Sequence, residues 1–168
     1  HPRLSSQLLQ DLLDEHRASG ATATVLSFEP PDPLAYGRIV RDRSGRLEQI
    51  VENADADEAQ RAIREVNSSI YVFEADKLWP ALERIEPVNA QGELYLTDAV
   101  RQLVEGEEEV AVFKAPDAGE VEGVNTRAEL ADAAAFLRAR VNKEHMLAGV
   151  TIVDPDTTWI EPEVELEA

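Results

Sequence analysis

The sequence predicts an α/β layered fold, with helices packed on a mostly parallel sheet and an antiparallel hairpin at one edge. Helical and strand patterns alternate along the chain, residues 21–28 form an apolar run typical of a buried strand, and Ser44-Gly45 separates two short alternating runs. A chain of 168 residues is long enough to bury a real core as one domain, or as one domain with a tail.

The first third of the chain predicts a helix, a strand and a hairpin, in that order. Leucines at helical spacing indicate a helix over residues 4–19, and Gly20 is placed to end it. The strand that follows leads into three prolines within residues 29–33, which require a loop. The hairpin then takes residues 37–42 and 47–52.

The middle of the chain continues the alternation. Asp55-Ala-Asp-Glu58 has the pattern of a capping box, which predicts a helix to about residue 66. A strand over residues 69–73 and a short helix over residues 76–85 follow, and Pro80 limits how well that helix forms.

The last third predicts two more helices, a strand and a change of architecture. Thr97 is placed as the N-cap of a helix that ends near residue 105, and residues 109–114 are predicted to form a strand. Thr126-Arg-Ala-Glu129 is a second capping box, which opens a long Ala- and Arg-rich helix. Residues 149–168 lose helical periodicity and are predicted to be β-rich.

The formal net charge of −18 limits the partners that this chain can bind. Non-specific nucleic-acid binding needs cationic side chains that neutralise phosphates, and anionic membranes attract basic segments, so neither is expected as a partner. An anionic ligand would need a divalent cation between itself and this surface.

The residue types that are missing from the chain exclude several kinds of site. There is no Cys, which excludes disulfides, thiolate metal sites and a thiol nucleophile and fits a reducing cytoplasm. No run of 18 apolar residues is present, so no membrane span is predicted. The N-terminus has neither a signal-peptide pattern nor an initiator Met, which indicates a processed or excised piece. Three scattered His residues form no triad, and His16 and His145 are predicted on helix surfaces.

Two polar motifs are unlike plain scaffold. Asn89-Ala-Gln-Gly-Glu-Leu-Tyr-Leu-Thr-Asp98 is dense in hydrogen-bonding groups ahead of a helix, and Glu122-Gly-Val-Asn-Thr-Arg127 places an Asn where a strand leads into a helix. Four further motifs accompany them: Asp32-Pro-Leu-Ala-Tyr-Gly-Arg-Ile39, Ile50-Val-Glu52, Glu65-Val-Asn67 and Ala148-Gly-Val-Thr-Ile-Val-Asp-Pro155. In order and spacing, these motifs resemble the uridylyltransferase (pyrophosphorylase) domain of the bifunctional N-acetylglucosamine-1-phosphate uridylyltransferase / glucosamine-1-phosphate N-acetyltransferase family, over nearly the whole chain.

The resemblance implies a partial Rossmann-like nucleotidyltransferase domain, with a mixed sheet that includes a β-hairpin. Residues 1–147 would be the C-terminal portion of the uridylyltransferase domain, and residues 148–168 a linker and the first strands of a truncated left-handed β-helix. The family's Gly-rich phosphate loop has no counterpart in this sequence, and His1-Pro2 resembles the residues directly after the family's metal-binding Asp. We therefore expect the chain to begin just past that Asp and to be inactive alone.

The reaction that the resemblance implies is nucleotidyl transfer with Mg²⁺ as cofactor. UTP and N-acetylglucosamine 1-phosphate would give UDP-N-acetylglucosamine and pyrophosphate, in the cytoplasm and on the bacterial cell-wall precursor pathway. Family members are trimers through the β-helix, most of which is missing from this sequence, so this chain is expected to be a monomer or to associate loosely through exposed sheet edges. Two alternatives stay open: a non-catalytic acidic module that binds a sugar or a partner chain, and a sugar-1-phosphate nucleotidyltransferase for another base or sugar.

The resemblance assigns substrate contacts to Gly37, Glu52, Asn67 and Asn125, and Mg²⁺ ligation to Asn125. From the residues alone, each has a plainer interpretation: a turn glycine, a solvated strand-end carboxylate, a turn Asn and a capping Asn. The family motif reads Asn-Thr-Gly where this chain has Asn67-Ser68-Ser69, so the hydroxyl is retained and the Gly is not.

The polar loop ahead of residue 97 is expected to help form the wall of the sugar pocket. Leu94 and Tyr95 would line an acetamido pocket. Thr97 and Asp98 are more simply interpreted as the cap and the first-turn acid of a helix, where negative charge is favoured.

Overall fold

The computed structural model of the chain describes residues 1–33 and 36–167. Leu34 and Ala35 of the motif at residues 32–39, and Ala168 of the expected β-helix segment, lie outside the described residues. The chain divides into two compact units, Leu4–Glu122 and His1–Arg3 with Gly123–Ala168.

The larger unit carries the sheet and most of the helices. In chain order it contains α1 (Ser6–Ser19), β1 (Ala23–Phe28), β2 (Arg38–Arg41), β3 (Leu47–Val51), α2 (Glu58–Arg61), β4 (Val66–Phe73), α3 (Ala75–Leu82), α4 (Leu96–Glu105), β5 (Val110–Lys114) and a 3₁₀ helix (Ala118–Glu120).

The five strands form one mixed sheet in the order β3-β2-β4-β1-β5. β1 pairs parallel with β5 and antiparallel with β4, and β2 pairs antiparallel with both β3 and β4. The α/β class, the mixed sheet and the hairpin are therefore confirmed. The sheet is less parallel than the alternation of helices and strands suggested, because the β2–β3 hairpin joins it through β4, which itself runs antiparallel to β1.

Each face of this sheet has its own hydrophobic core. On one face, Ala99, Val100 and Leu103 of α4 pack with strand residues that include Val25 and Ile39. On the other face, the buried side chains come from α1, β1, β4 and the segment after β5: Leu8, Leu12, Leu26, Phe28, Val66, Ala115 and Val121. Burial on both sides explains why every residue of β1 is buried and why most of its residues are apolar, with Thr24 and Ser27 as the polar exceptions.

Helix α1 has the predicted end and one unpredicted contact. Gly20 follows it in the left-handed conformation, with φ +63°, which a residue without Cβ adopts at little cost. His16 was expected on the surface, and this is wrong, because the side chain is buried against β1. Its Nδ1 lies 2.9 Å from Thr24 Oγ1, and its Nε2 lies 3.2 Å from Glu74 Oε1.

Helix α2 is shorter and begins later than the capping pattern predicted. Its N-cap is Asp57, which makes a capping box with Gln60, so the box is shifted two residues along the chain. Asp55 instead accepts a hydrogen bond from the backbone N–H of Ala90 at 2.8 Å. The helix stops after one turn because the chain enters β4 at Val66, where the backbone pairs with β1 and β2.

Helix α4 begins one residue earlier than predicted. Tyr95 occupies the N-cap position without a side-chain capping bond, so the prediction that Thr97 caps this helix is wrong. Thr97 lies buried in the first turn, where its hydroxyl donates to Glu52 instead. Asp98 lies in the first turn, as predicted.

The smaller unit is built on α5 (Arg127–Leu147). The predicted capping box is confirmed: Thr126 Oγ1 accepts from the N–H of Glu129 at 3.1 Å, and the Glu129 carboxylate accepts from the N–H of Thr126 at 2.8 Å. Within this helix, the buried side chain of Asn142 donates to the carbonyls of Pro155 and Thr158 in the segment that follows, both at 2.8 Å.

Residues 149–167 form turns and extended chain, and no strand is assigned among them. The first β-helix strands therefore stay a prediction, since such strands are defined by pairing with the coil stacked on them. Within the described residues, no helix has both the length and the apolar character needed to cross a bilayer.

Candidate functional site

Three of the four predicted site residues meet beside the hairpin of the larger unit. Arg38 of β2 lies opposite Val51 of β3, so Gly37, one residue before β2, faces Glu52, one residue after β3. Asn67 of β4 donates its backbone N–H to the carbonyl of Gly37 at 2.8 Å. The antiparallel register thus brings together residues that are 30 positions apart along the chain.

Gly37 leaves room for the Glu52 carboxylate. A Cβ at position 37 would lie 3.2 Å from Glu52 Oε2 and 3.3 Å from Ile50 Cγ2, closer than ordinary van der Waals contact. The glycine was expected to let a ligand approach the backbone. In the structure, the missing side chain instead lets the carboxylate lie against that backbone.

Glu52 is partly buried and sits among other acidic groups. Burial raises the pKa of its carboxyl, a hydrogen bond from Thr97 opposes this shift, and the charges of Asp55 and Asp98 add to it. The Thr97 hydroxyl donates to Glu52 Oε1 at 3.2 Å. A carboxylate held in this way differs from the freely solvated strand-end residue that the plainer interpretation described.

Asn67 lies inside β4, and not in a turn ahead of the strand. The residue is 3 % exposed, and a buried amide needs hydrogen-bond partners, of which the protein supplies two. Asn67 Nδ2 donates to Tyr71 Oη at 2.7 Å, and Asn67 Oδ1 accepts from the N–H of Ser69 at 3.1 Å.

A β-bulge surrounds Asn67. The register between β1 and β4 jumps from Leu26–Ile70 to Ser27–Asn67, which leaves Ser68 and Ser69 as the extra residues. Ser69 has φ +63°, the left-handed region that favours glycine. The chain therefore keeps, with a serine, a backbone conformation that suits the Gly of the Asn-Thr-Gly motif.

The polar loop beside Glu52 is held by its own side chains. Asn89 Oδ1 accepts from the N–H groups of Gln91 at 3.2 Å and Glu93 at 3.1 Å. Tyr95 Oη donates to Gln91 Oε1 at 2.8 Å. The bond from Ala90 to Asp55 fixes the loop to the segment just after Glu52, so the loop borders the site before any ligand is present.

Asn125 belongs to the smaller unit and is described with it. Its backbone N–H donates to Glu129 Oε2, as does that of Thr126, and these two bonds lower the pKa of the Glu129 carboxyl. The residue is exposed, so the capping box uses its main chain and leaves its side-chain carbonyl at the surface.

Comparison with known proteins identifies the family. Residues 3–146 match the family model described as nucleotidyl transferase, which is most of the chain. The chain belongs to the nucleotidyl transferase family. It is 50% identical over 170 residues to "Bifunctional protein GlmU" of Bifidobacterium animalis subsp. lactis (strain AD011), which covers 99% of this chain and 36% of the relative.

Two further relatives of this nucleotidyl transferase carry the same name. Those of Brevibacillus brevis (strain 47 / JCM 6285 / NBRC 100599) and Thermobifida fusca (strain YX) are 47% and 46% identical, over 99% and 98% of this chain. The matches cover 36% and 34% of these relatives, so the chain spans about a third of the length of the curated relatives that it matches.

The residues of this nucleotidyl transferase fit a magnesium ion only in part. The Asn125 side-chain carbonyl is a hard oxygen ligand of the kind that Mg²⁺ prefers. Among the described residues, no group of three or more His, Cys, Asp or Glu side chains could hold a metal ion. Asn125 would therefore contribute one ligand, and substrate phosphates and water would supply others.

The structure adds two side chains that the sequence analysis did not assign to this site. Thr97 was interpreted as a helix cap, yet its hydroxyl contacts Glu52. Tyr71 was not singled out, yet it holds the Asn67 amide. No sequence periodicity predicts either contact. The bond from Thr97 joins a helix to the end of a strand, and the bond from Asn67 to Tyr71 depends on a bulge.

Proposed function

We propose that this chain is the sugar-binding part of an enzyme that forms UDP-N-acetylglucosamine and pyrophosphate from UTP and N-acetylglucosamine 1-phosphate. The observation that carries the proposal is the meeting of Gly37, Glu52 and Asn67 at one place in a nucleotidyl transferase fold. These are three of the four positions to which the motif resemblance gives substrate contacts. The match of residues 3–146 to the nucleotidyl transferase family and the identity of 46–50% to proteins named "Bifunctional protein GlmU" support the proposal.

The chemistry of these groups suits an amino sugar. An ionised carboxylate at Glu52 accepts hydrogen bonds from sugar hydroxyls, and an amide at Asn67 both donates and accepts. N-Acetylglucosamine presents hydroxyl groups and an acetamido group, which require both kinds of partner. Leu94 is largely exposed beside Tyr95, where an apolar contact with the acetamido methyl group can form.

The transfer itself depends on positioning more than on acid–base groups. A phosphate oxygen of the sugar 1-phosphate attacks the α-phosphorus of UTP, a new P–O bond forms, and the bond from the α-phosphorus to the bridging oxygen of pyrophosphate breaks. Bound Mg²⁺ supplies charge neutralisation on the phosphates. This chain contributes Gly37, Glu52 and Asn67 on the sugar side and Asn125 as a candidate metal ligand.

Titration calorimetry on the folded chain tests the substrate class. We expect measurable heat of binding with UDP-N-acetylglucosamine. The affinity for UDP-glucose and for dTDP-glucose should be weaker by a factor of about ten or more, because one lost pair of polar contacts is worth about 1–2 kcal/mol. Glu52→Ala and Asn67→Ala should each weaken binding. Glu48→Ala removes an exposed carboxylate from β3, the strand that leads into Glu52, and serves as the matched control.

The other outcomes of this titration each count against the proposal. Preference for dTDP-glucose or UDP-glucose would assign the chain to a transferase for another base or sugar. Binding of none of the three, by a chain with the circular dichroism of a folded α/β protein, would favour a non-catalytic module.

A coupled pyrophosphate-release assay with UTP, N-acetylglucosamine 1-phosphate and Mg²⁺ tests activity. We expect no turnover by the 168-residue chain alone, because its sequence contains no Gly-rich phosphate loop. Turnover comparable with that of an intact enzyme of this kind would refute this part of the proposal. Light scattering tests the monomeric state expected for this chain.

A further inference from the structure

The Asn67 side chain is held at both of its ends by residues of its own strand. Its oxygen accepts from the Ser69 N–H, and its nitrogen donates to Tyr71 Oη. A backbone N–H can only donate, so the oxygen must be the end that faces Ser69, and the nitrogen must face Tyr71. These two bonds use one of the two amide protons and one of the two oxygen lone pairs.

The bulge is what allows the second of these bonds. In a regular strand, residues four positions apart are separated by about 13 Å along the strand, well beyond hydrogen-bond range for an Asn and a Tyr. Ser68 and Ser69 shorten β4 at this point, and Ser69 does so in the left-handed conformation. Ser68 Oγ donates to the carbonyl of Leu26 at 2.7 Å, which ties the bulge to β1.

The Tyr71 hydroxyl stays protonated across the physiological range. Burial raises the pKa of this phenol to about 12, with the negative charge of Glu52 adding to the shift and the bond from Asn67 opposing it. The hydroxyl is therefore a neutral group that accepts from Asn67 and lies within the electrostatic reach of Glu52. The Tyr71 ring packs against Phe73 at a centroid distance of 5.5 Å, which limits its movement.

We infer that Tyr71 is a positioning residue that fixes the amide of Asn67 in one orientation, so that the remaining N–H and the remaining oxygen lone pair are presented to the sugar. The inference rests on the proposed function in so far as it names a sugar. Tyr71 acts through Asn67 and is not assigned a contact with the reacting atoms. An unheld amide would present its donor and acceptor in varying directions, and binding would lose the preference for a group that both donates and accepts.

Tyr71→Phe removes the hydroxyl and keeps the ring. Calorimetry should give about three- to tenfold weaker binding of UDP-N-acetylglucosamine, the effect of losing one neutral hydrogen bond at the site. Thr22→Val is the matched control, because it removes a hydroxyl that bonds to Glu108 at 2.9 Å beyond the other end of β1. Unchanged affinity in Tyr71→Phe would overturn the inference, as would an equal loss in Thr22→Val.

A double-mutant cycle distinguishes positioning from direct contact. In the Asn67→Ala background, Tyr71→Phe should change affinity by less than twofold, because the group through which it acts is gone. Losses that multiply in the double variant would show that Tyr71 contacts the ligand independently, and the inference would be wrong.

Side-chain amide NMR separates this inference from the proposed function. In the unliganded chain, the Asn67 Nδ2 proton that is donated to Tyr71 Oη should exchange with solvent slowly, and Tyr71→Phe should accelerate that exchange at least tenfold. An exchange rate that Tyr71→Phe leaves unchanged would overturn the positioning role. If the wild-type chain binds none of the sugar nucleotides, the proposed function fails and the assignment of a sugar to Asn67 fails with it.

Discussion

Glu52 is a residue at which the fold and the proposed activity make opposite demands. The carboxyl lies against Gly37, accepts from Thr97 and is surrounded by the charges of Asp55 and Asp98. Burial and these charges disfavour its ionised form, although hydrogen bonds from sugar hydroxyls favour that form. Functional residues often carry such a cost in stability.

Glu52→Gln should therefore stabilise the chain at neutral pH. Because the folded-state pKa is raised, the folded chain keeps a proton that the unfolded chain has lost, and the free energy of unfolding falls as pH rises above the ordinary glutamate pKa of about 4.3. Gln at this position does not ionise, so the variant avoids this loss. Its free energy of unfolding in urea should exceed that of the wild-type chain at pH 7, and the difference should shrink towards pH 4.

Glu48→Gln is the control for this comparison, since it removes an exposed charge from the same hairpin. It corrects for the general relief of repulsion in a chain of net charge −18. An advantage of Glu52→Gln no larger than that of Glu48→Gln would contradict the pKa shift.

Ser69 holds a backbone conformation that costs an L-amino acid about 1 kcal/mol. Ser69→Gly should raise the free energy of unfolding by up to about 1 kcal/mol, and Ser69→Val should lower it, since a β-branched side chain tolerates this region worst. Thermal and urea denaturation measure both. Ser68→Gly, at the neighbouring position with negative φ, should destabilise, because its hydroxyl bond to Leu26 is lost.

The resemblance, and not the residue pattern, selected Gly37, Glu52 and Asn67, and neither predicted the contacts among them. The pattern did place Gly37 and Glu52 at the open end of one hairpin, because a hairpin register is local and follows from its turn. Asn67 was assigned to a turn because its bulge is set by pairing with β1, which lies about 40 positions earlier and leaves no periodic signal. For the same reason, the partnership of Asn67 with Tyr71 had no sequence signature.

Glu65 joins three strands at the start of β4. Its carboxylate accepts from Ser27 Oγ of β1 at 2.6 Å and from Arg41 of β2 through two nitrogens, at 2.8 and 2.9 Å. Burial pushes the pKa of Glu65 up, but the bonds from Arg41 and Ser27 outweigh it and lower the pKa. Its contribution to stability is therefore present at neutral pH and is lost as pH falls through that lowered pKa.

Glu65→Ala should cost about 2–3 kcal/mol in urea denaturation at pH 7, because it leaves a buried hydroxyl and a guanidinium without their partner. Arg41→Ala should cost less, about 1 kcal/mol, since the guanidinium is partly exposed. The double variant should cost little more than Glu65→Ala alone. Arg46→Ala, a nearby exposed arginine, should change stability by less than about 0.5 kcal/mol.

The sequence predicted helix ends correctly where the signal lies within one turn. It predicted element bounds and strand directions less well where pairing between distant strands decides them. The ends of α1 and α5 followed from Gly20 and from the Thr126 capping box, which act within a single turn. Two overlapping capping patterns precede α2, one from Asp55 to Glu58 and one from Asp57 to Gln60. The structure uses the second, and the helix is short because the chain enters β4 at Val66. The direction of β4 relative to β1 depends on long-range pairing, and so the alternation of helices and strands overestimated the parallel share of a sheet that was expected to be mixed.

At the scale of the whole molecule, the dominant feature is the net charge of −18. Like charges spread over a compact chain repel one another, and folding brings them closer together. Ion pairs such as Arg41–Glu65 and Lys77–Glu108 offset only part of this repulsion.

Salt should therefore stabilise the chain. Raising NaCl from about 0.01 M to about 0.1 M shortens the Debye length from about 30 Å to about 10 Å, which screens the long-range repulsion before it screens close pairs. We expect the free energy of unfolding to rise, by the same amount in NaCl and in KCl. A fall in stability with salt would mean that attractive pairs outweigh the repulsion.

The buried amide of Asn142 fixes the course of the polypeptide after its longest helix. One side chain holds the carbonyls of both Pro155 and Thr158, so the backbone leaves α5 along a set path. Residues 150–154 connect the end of the helix to these two held carbonyls. A fluorescent protein or purification tag fused after residue 159 would therefore take its starting direction from this anchor, and would not pivot at Gly149.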